Sequence, residues 1–95
     1  MIRYTVRYTG HVQGVCFRYN CVEISQRFQV AGYVQNLPDG SVKLVAEGEQ
    51  SELLPFINAV SERMSRNINN EDRATSEATR EFGSPSNPDT FAIRY

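Results

Sequence analysis

The sequence predicts an α+β sandwich, in which an antiparallel β-sheet carries two helices on one of its faces. Three observations support this fold. Segments at both ends of the chain alternate apolar and polar residues as strands do, two internal segments repeat apolar residues at helical spacing, and a hairpin pattern lies between those two segments. Helices separated in this way by a hairpin are typical of the split βαβ, or ferredoxin-like, arrangement. We expect a short extra strand at the C-terminal end.

The first strand and the first helix follow from two different periodicities. Residues 2–9 alternate with a period of two, which places their apolar side chains on one covered face. Residues 17–28 instead repeat apolar side chains at spacings of four, three and four, which gives a helix one apolar side. The covered face of the strand carries Ile2, Tyr4, Val6 and Tyr8, and the helix stripe carries Phe17, Cys21, Ile24 and Phe28.

A β-hairpin is predicted in the middle of the chain, with strands over residues 30–37 and 41–48. The turn between them is formed by Pro38, which presets φ, Asp39, which can bond locally to the backbone, and Gly40, which tolerates positive φ. Both strands are rich in valine and leucine. The second and third strands of the chain are therefore predicted to pair as a hairpin.

The second helix is predicted after Gly48, because apolar residues again follow helical spacing. Ser51 is a candidate cap for this helix. Pro55 is tolerated only near the first turn, so it constrains where the helix begins. The apolar positions are Leu53, Phe56 or Ile57, Val60 and Met64.

The last third of the chain is the most polar. Residues 65–73 read as a surface connection, residues 74–82 as a weak strand, and residues 83–89 as a loop. Residues 90–95 alternate again and predict a short final strand.

Length and composition limit the class of protein. The chain has 95 residues, 40% of them hydrophobic, which suits one core, so we expect a single domain over residues 1–95 and a monomer. Ten basic and eleven acidic residues argue against a protein built mainly to coat nucleic acid or an anionic membrane. The N-terminal segment lacks the features of a signal peptide, and no stretch approaches the roughly 18 apolar residues of a membrane span. We expect a cytoplasmic protein.

The cysteines and the histidine do not predict a metal site. On a helix, Cys16 and Cys21 would be rotated by about 140° from one another, which disfavours a disulfide. His11 is the only histidine, so a tetrahedral zinc site lacks its ligands. We expect reduced thiols, no metal and no cofactor.

The segment "GHVQGVCFRYN", residues 10–20, carries the chemistry. It joins the first strand to the first helix, contains two glycines and has no carboxylate. Backbone N–H groups in a glycine-rich turn and at a helix N-terminus attract anions. Arg18 stands in the first helical turn, where the helix dipole disfavours a cation, and its guanidinium matches the oxygens of a phosphate or carboxylate. The alternative is that Gly10 and Gly14 only turn the chain and that Arg18 pairs with Glu23.

Two segments resemble the signatures of a known family. "GHVQGVCFR" and "GYVQNLPDGSV" closely resemble the GxVQGVxFR loop and the hairpin motif of the acylphosphatase family. The resemblance is specific over the first half of the chain and weaker toward its end, where "EGE" and "FAIRY" continue it. It implies the ferredoxin-like fold and the hydrolysis of acyl phosphates to carboxylate and inorganic phosphate without a metal.

The resemblance also implies roles for individual residues. Arg18 falls on the arginine that binds phosphate, and Asn36 falls on the asparagine that holds the attacking water. Because a carboxylate is a good leaving group, positioning and charge stabilisation can carry most of such a reaction without a tuned base. The backbone that would cradle the phosphate is that of Gln13, Gly14, Val15, Cys16 and Phe17.

Several alternatives stay open at this point. Cys16 is close to an arginine and a helix start, where a thiol can become a nucleophile, although a small tolerated side chain is the simpler interpretation. Tyr33 can line the acyl side of a site or pack within the sheet, and His11 can border the site or be solvated. Tyr4, Tyr8 and the arginines of the first strand suggest a distant RNA-binding alternative. A phosphate-binding module without turnover is the more serious one.

Overall fold

The computed structural model describes residues 1–85 and 90–95. Within them lie five strands and two helices, and the strands form one sheet with the order β4-β1-β3-β2-β5. The ferredoxin-like prediction is confirmed. The elements are β1 (Ile2–Gly10), α1 (Phe17–Ser25), β2 (Ala31–Asn36), β3 (Val42–Gly48), α2 (Gln50–Arg63), β4 (Ile68–Glu77) and β5 (Phe91–Arg94).

The directions of the strands decide where the connecting loops meet. β1 pairs antiparallel with β3 and β4, and β2 pairs antiparallel with β3. β5 pairs parallel with β2, so the sheet is mixed rather than wholly antiparallel as predicted. β1, β2 and β5 therefore run in the same direction, and their C-terminal ends lie together at one end of the sheet.

The core lies between the two helices and one face of the sheet. In β1, Tyr4, Val6 and Tyr8 are buried while Arg7 is exposed, which confirms the predicted alternation. The rings of Tyr8 and Phe17 lie 4.9 Å apart and connect β1 to α1. Phe56 of α2 packs against Phe91 of β5 at 5.2 Å. Among the described residues, no helix is long and apolar enough to cross a membrane.

α1 is shorter than predicted. It ends at Ser25, and the next residues form tight turns in which Arg27 N donates to the Ile24 carbonyl at 3.0 Å and Phe28 N to the Ser25 carbonyl at 3.1 Å. Phe28 still packs toward the core, because its ring lies 6.0 Å from that of Phe56. The apolar spacing therefore identified the packed side chains and overestimated the length of the helix.

The start of α2 also differs from the prediction. Glu49, not Ser51, is the residue that precedes the helix, and it makes no side-chain capping hydrogen bond. Pro55 lies inside α2, in its second turn, so the expectation of a first-turn position is wrong. In a regular helix residue 55 would donate its N–H to the carbonyl of Ser51. Ser51 and Pro55 are both exposed, so water can solvate that carbonyl.

β4 is the largest correction. The strand expected over residues 74–82 spans Ile68–Glu77, and the predicted surface connection over residues 65–73 is largely part of it. The physical reason is that β4 is an edge strand in which, beyond Ile68, the side chains that face the helices are polar. Glu71 and Arg73 pair with each other, and both contact Ser61 of α2. Backbone pairing with β1 therefore holds a strand that has no apolar alternation.

Residues 79–82, which follow β4, pack on the open face of the sheet, opposite the helices. Glu47 of β3, which is only 1% exposed, accepts hydrogen bonds from the backbone N–H groups of Thr79 and Arg80, both at 2.8 Å. It also accepts one from Arg3 Nε at 2.8 Å. The ring of Phe82 packs against that of Tyr33 at 5.6 Å. Part of the predicted loop over residues 83–89 lies outside the described residues.

Candidate active site

The site lies where the C-terminal ends of β1, β2 and β5 meet. A pocket of about 270 Å³ opens there between the loop after β1, the first turn of α1 and the ends of β2 and β5. Arg18 and Asn36, predicted from different motifs, both line it, and in the described part of the chain Arg18 has the only charged side chain among its lining residues. The lining residues are Val12, Gly14, Cys16, Phe17, Arg18, Tyr19, Asn36, Ile93 and Tyr95.

The loop has the backbone that the glycine pattern predicted. Gly14 has φ 76° and Cys16 has φ 61°, both in the left-handed region. A Cβ added at Gly14 would meet nothing within 4 Å, so backbone conformation rather than space favours glycine there. Cys16 holds this conformation despite having a side chain, which costs about 1–2 kcal/mol. The two residues together turn the chain from β1 into α1.

The N-terminus of α1 faces this pocket without a capping side chain. The carbonyl of Cys16 accepts bonds from Asn20 N at 3.0 Å and Asn20 Nδ2 at 2.9 Å. The first N–H groups of a helix have no partners within the helix. In the described chain, the Cys16 side chain makes no capping bond, and the first turn contains no acidic residue. The start of α1 therefore offers donors and the positive end of a dipole to an anion.

Arg18 does not pair with Glu23. Glu23 instead accepts a bond from Arg63 of α2 at 3.0 Å. The Arg18 Cζ lies 5.0 Å from the centre of the Tyr95 ring, a cation–π contact. Arg18 has no ion pair within residues 1–85 and 90–95. Its charge is thus available to an anion in the pocket.

Asn36 is the last residue of β2, and its side chain lies on the helix-facing side of the sheet. Its Oδ1 is buried and has no hydrogen-bond partner among the described residues. A buried acceptor without a partner costs free energy unless another molecule donates to it. Asn36 therefore brings an unused acceptor to the pocket that Arg18 lines.

The predicted cradle is only partly in contact with the pocket. Gly14, Cys16 and Phe17 line it, whereas Gln13 and Val15 do not. Val15 packs against the core, and the Gln13 side chain donates to the carbonyls of the central hairpin. The loop therefore presents alternate parts of its chain to the pocket and to the rest of the protein.

Sequence reasoning missed four lining residues: Val12, Tyr19, Ile93 and Tyr95. The "FAIRY" alternation predicted a strand but not its partner, and the pairing of β5 with β2 brings Ile93 beside Val34. Tyr19 directly follows Arg18, so its position next to the loop motif could have indicated that it borders the site. Tyr19 and Tyr95 are 70% and 88% exposed, so they border the mouth of the pocket.

The remaining candidates lie elsewhere. Tyr33 faces the open side of the sheet, where Arg94 Cζ lies 3.6 Å from its ring centre, so it packs within the sheet and does not line the site. His11 is exposed and does not line the pocket. Tyr4 and Tyr8 are buried beneath the helices, which removes the aromatic surface on which the RNA-binding alternative depended.

Metal and redox chemistry would depend on the thiols and the acidic groups. Both cysteines are free; Cys16 is exposed, and Cys21 is buried in the core, where burial raises the pKa of its thiol. Within the described ranges, no group of three or more His, Cys, Asp or Glu side chains is arranged to hold a metal ion.

The family of the chain follows from comparison with known proteins. A family model described as acylphosphatase matches residues 4–93. The chain belongs to the acylphosphatase family. A crystal structure of acylphosphatase from Bacillus subtilis superposes with a TM-score of 0.82 at 29% identity, and the alignment covers 100% of both chains.

Curated members of the acylphosphatase family match over a shorter segment. The acylphosphatase of Methanospirillum hungatei JF-1 is 43% identical over 61 residues, which are 64% of this chain and 67% of that protein. The acylphosphatase of Caldanaerobacter subterraneus subsp. tengcongensis is 47% identical over 55 residues, 55% of this chain and 61% of that protein. The chain thus spans 61% to 67% of the lengths of these two relatives.

Proposed function

We propose that this protein is an acylphosphatase, an enzyme that hydrolyses an acyl phosphate to a carboxylate and inorganic phosphate. The observation that carries the proposal is that Arg18, with no ion-pair partner in the described chain, and Asn36 line one pocket at the N-terminus of α1. Membership of the acylphosphatase family supports the same activity. The proposed substrate is a small-molecule acyl phosphate, and no cofactor takes part.

Arg18 and the loop backbone bind the phosphoryl group in this proposal. The guanidinium donates to two phosphoryl oxygens, and the N–H groups of the loop and of the start of α1 bind the third. As charge builds on these oxygens in the transition state, the donors are already in place and need no reorganisation. The site therefore stabilises negative charge without a metal ion.

Asn36 positions the water. Its unused Oδ1 accepts a hydrogen bond from a water molecule that attacks phosphorus in line with the leaving carboxylate. The water oxygen forms the new P–O bond, the bond between phosphorus and the acyl oxygen breaks, and the carboxylate leaves with that electron pair. The proton of the water passes to a phosphoryl oxygen. A carboxylate leaves without protonation, so no acidic or basic side chain is required.

An assay of the purified chain tests the proposal against a phosphate-binding module without turnover. Acetyl phosphate hydrolysis is measured in the presence of chelator, and inorganic phosphate binding is measured by calorimetry. We expect both turnover and binding. Phosphate binding without turnover would favour the non-catalytic module, and activity that returns only with a divalent ion would contradict the metal-free mechanism.

We also propose that the protein acts as a cytoplasmic monomer with the single domain expected from its length, and that it does not bind nucleic acid. The near-neutral charge and the burial of Tyr4 and Tyr8 support the last point. Light scattering at assay concentration tests the monomer, and cell fractionation tests the location.

A further inference from the structure

The Gln13 side chain connects the phosphate loop to the hairpin that carries Asn36. Its Nε2 donates to the carbonyl of Leu37 at 2.8 Å and to the carbonyl of Ser41 at 2.9 Å. A primary amide has two N–H donors, and both are used here. The bonds are partly buried and span 24 and 28 positions of sequence. One side chain thus joins two distant segments.

The two bonds end beside the proposed reacting groups. Leu37 directly follows Asn36, and the pocket-lining part of the loop begins at Gly14, directly after Gln13. Any movement of the loop relative to the hairpin must stretch or break these bonds. The Gln13 bonds thus link the loop donors directly to the segment beside Asn36.

We propose that Gln13 is a positioning residue. Its side-chain amide holds the phosphate loop and Asn36 at the separation that the reaction requires. This inference rests on the proposed function, because it assigns Gln13 a role in the same pocket. It differs from a role of the Gln13 backbone in the cradle. It is also specific to the amide group, because both bonds are donated to carbonyl oxygens.

The hairpin turn has its own supports, which do not involve Gln13. Leu37 N donates to the Ser41 carbonyl at 2.9 Å. Asp39 Oδ1 accepts bonds from Ser41 N at 2.9 Å and Ser41 Oγ at 2.6 Å, while Arg7 pairs with Asp39 and donates to Ser41 Oγ at 3.2 Å. Loss of the Gln13 bonds should therefore leave the hairpin folded and change only its relation to the loop.

The test is the nearly isosteric Gln13→Glu variant. Near neutral pH its carboxylate has no N–H and faces two carbonyl oxygens, so we expect kcat/KM for acetyl phosphate to fall about 10²-fold, as a small misplacement of reacting groups can cause. Protonation restores one donor. Surroundings of acceptors disfavour the charged form of the carboxyl and raise its pKa. The ratio of variant to parent activity should therefore rise as the pH falls from 8 to 5.

Two control variants separate positioning from other effects. Gln13→Ala loses the donors permanently, so its deficit should not change with pH. Gln35→Glu makes the same charge change on β2, but its side chain points to the open face of the sheet, so it should remain near the parent. Circular dichroism and thermal unfolding at each pH establish that every variant is folded.

The outcomes distinguish this inference from the proposed function. If the parent is active and folded Gln13→Glu matches it at neutral pH, or has a deficit that acid does not relieve, Gln13 is not a positioning residue. If the parent does not hydrolyse acetyl phosphate, the proposed function fails. The phosphate dissociation constants of the same variants then decide the inference: weakening at neutral pH that acid relieves supports it, and unchanged affinity overturns it.

Discussion

At the scale of single residues, Arg18 and Asn36 carry different parts of the proposed reaction. In that proposal Arg18 contacts phosphate in both the ground state and the transition state, whereas Asn36 acts on the water. The pocket brings them together from α1 and the end of β2. Variants of the two residues should therefore differ in how binding and turnover respond.

Arg18→Ala should lose phosphate binding and turnover together. Each charge-assisted hydrogen bond contributes about 1.5–3 kcal/mol, so losing one weakens phosphate binding by at least roughly tenfold. Arg18→Lys should recover little, because an ammonium keeps the charge and loses the planar fork. Phosphate titration and acetyl phosphate kinetics measure both effects. The matched control is Arg66→Ala, because Arg66 is exposed and lies outside the pocket. If Arg18→Ala keeps the phosphate binding and the turnover of the parent, the loop only turns the chain and does not bind phosphate.

Asn36→Ala should lower kcat and leave phosphate affinity nearly unchanged. Removing a preorganised hydrogen-bonding group from a reacting centre costs about 10²–10³ in rate. The side chain contributes no charge to the pocket, which is why binding should be retained. Steady-state kinetics with phosphate as a competitive inhibitor separate the two quantities. A variant that loses affinity and keeps kcat would assign Asn36 to binding.

Cys16→Ser should keep most of the turnover. In the proposed reaction the thiol forms no bond to phosphorus, and the backbone of residue 16 provides what the loop needs. Parent enzyme in reducing and oxidising buffers should likewise behave alike, because Cys21 is buried away from exposed Cys16 and neither thiol takes part in the proposed reaction. Folded but inactive Cys16→Ser protein would reopen the alternative of a cysteine nucleophile.

At the scale of elements, α2 has a local defect at Pro55. The ring removes one helical hydrogen bond and crowds the preceding turn, which in a helix interior costs up to about 3 kcal/mol relative to alanine. Proline also restricts the unfolded chain, which offsets about 0.4–1 kcal/mol of that cost. The balance favours alanine at this exposed position.

Pro55→Ala should therefore raise the free energy of unfolding by up to about 2 kcal/mol. For a domain of this size, that corresponds to an increase in Tm of roughly 4–8 °C per kcal/mol. Calorimetry of the variant and of Glu62→Ala, another exposed site in α2, measures the effect; Glu62→Ala should change little. A lower Tm for Pro55→Ala would mean that the proline ring contributes packing that outweighs its backbone cost.

At the scale of the whole molecule, Glu47 ties the β4–β5 connection to the sheet. Burial by itself would raise the pKa of Glu47, but hydrogen bonds from Thr79 and Arg80 and the Arg3 guanidinium outweigh it and lower the pKa. β4 and β5 are the two outer strands of the sheet, and Thr79 and Arg80 follow closely after β4. The ionised Glu47 carboxylate therefore holds the segment around Thr79 and Arg80 against the sheet.

Stability should fall in acid through Glu47. Because the folded-state pKa lies below the ordinary value of 4.5, the contribution of Glu47 is complete above that pH. It is lost as the pH falls from 4.5 toward the folded-state pKa. The Tm of the parent and of Glu47→Gln, compared from pH 7 to pH 3, isolates this residue from other carboxylates. The variant should be less stable at neutral pH, and the difference should shrink in acid; a constant difference would exclude Glu47 as the source.

Local patterns predicted most of the fold and the central part of the site. The two periodicities identified β1 and both helices, the turn residues identified the hairpin, and the loop motif identified Arg18, whereas Asn36 was identified through the resemblance of the hairpin segment to the acylphosphatase signature. These features depend on neighbours in sequence: strand parity, helical spacing and positive φ are set within a few residues. For β4 the same reasoning failed, because Glu71 and Arg73 face polar side chains of α2 and no apolar alternation marks the strand.

The sequence by itself determined the fold class, the glycine-rich turn into α1 and the residue types of the proposed site. Only the tertiary structure decided that β5 pairs parallel with β2, that Tyr95 lies over Arg18, and that Gln13 bonds across to the hairpin. The physical reason is that such contacts join segments far apart in the chain. Their geometry depends on how the whole sheet packs beneath the helices, and the local periodicity of the sequence does not predict that packing.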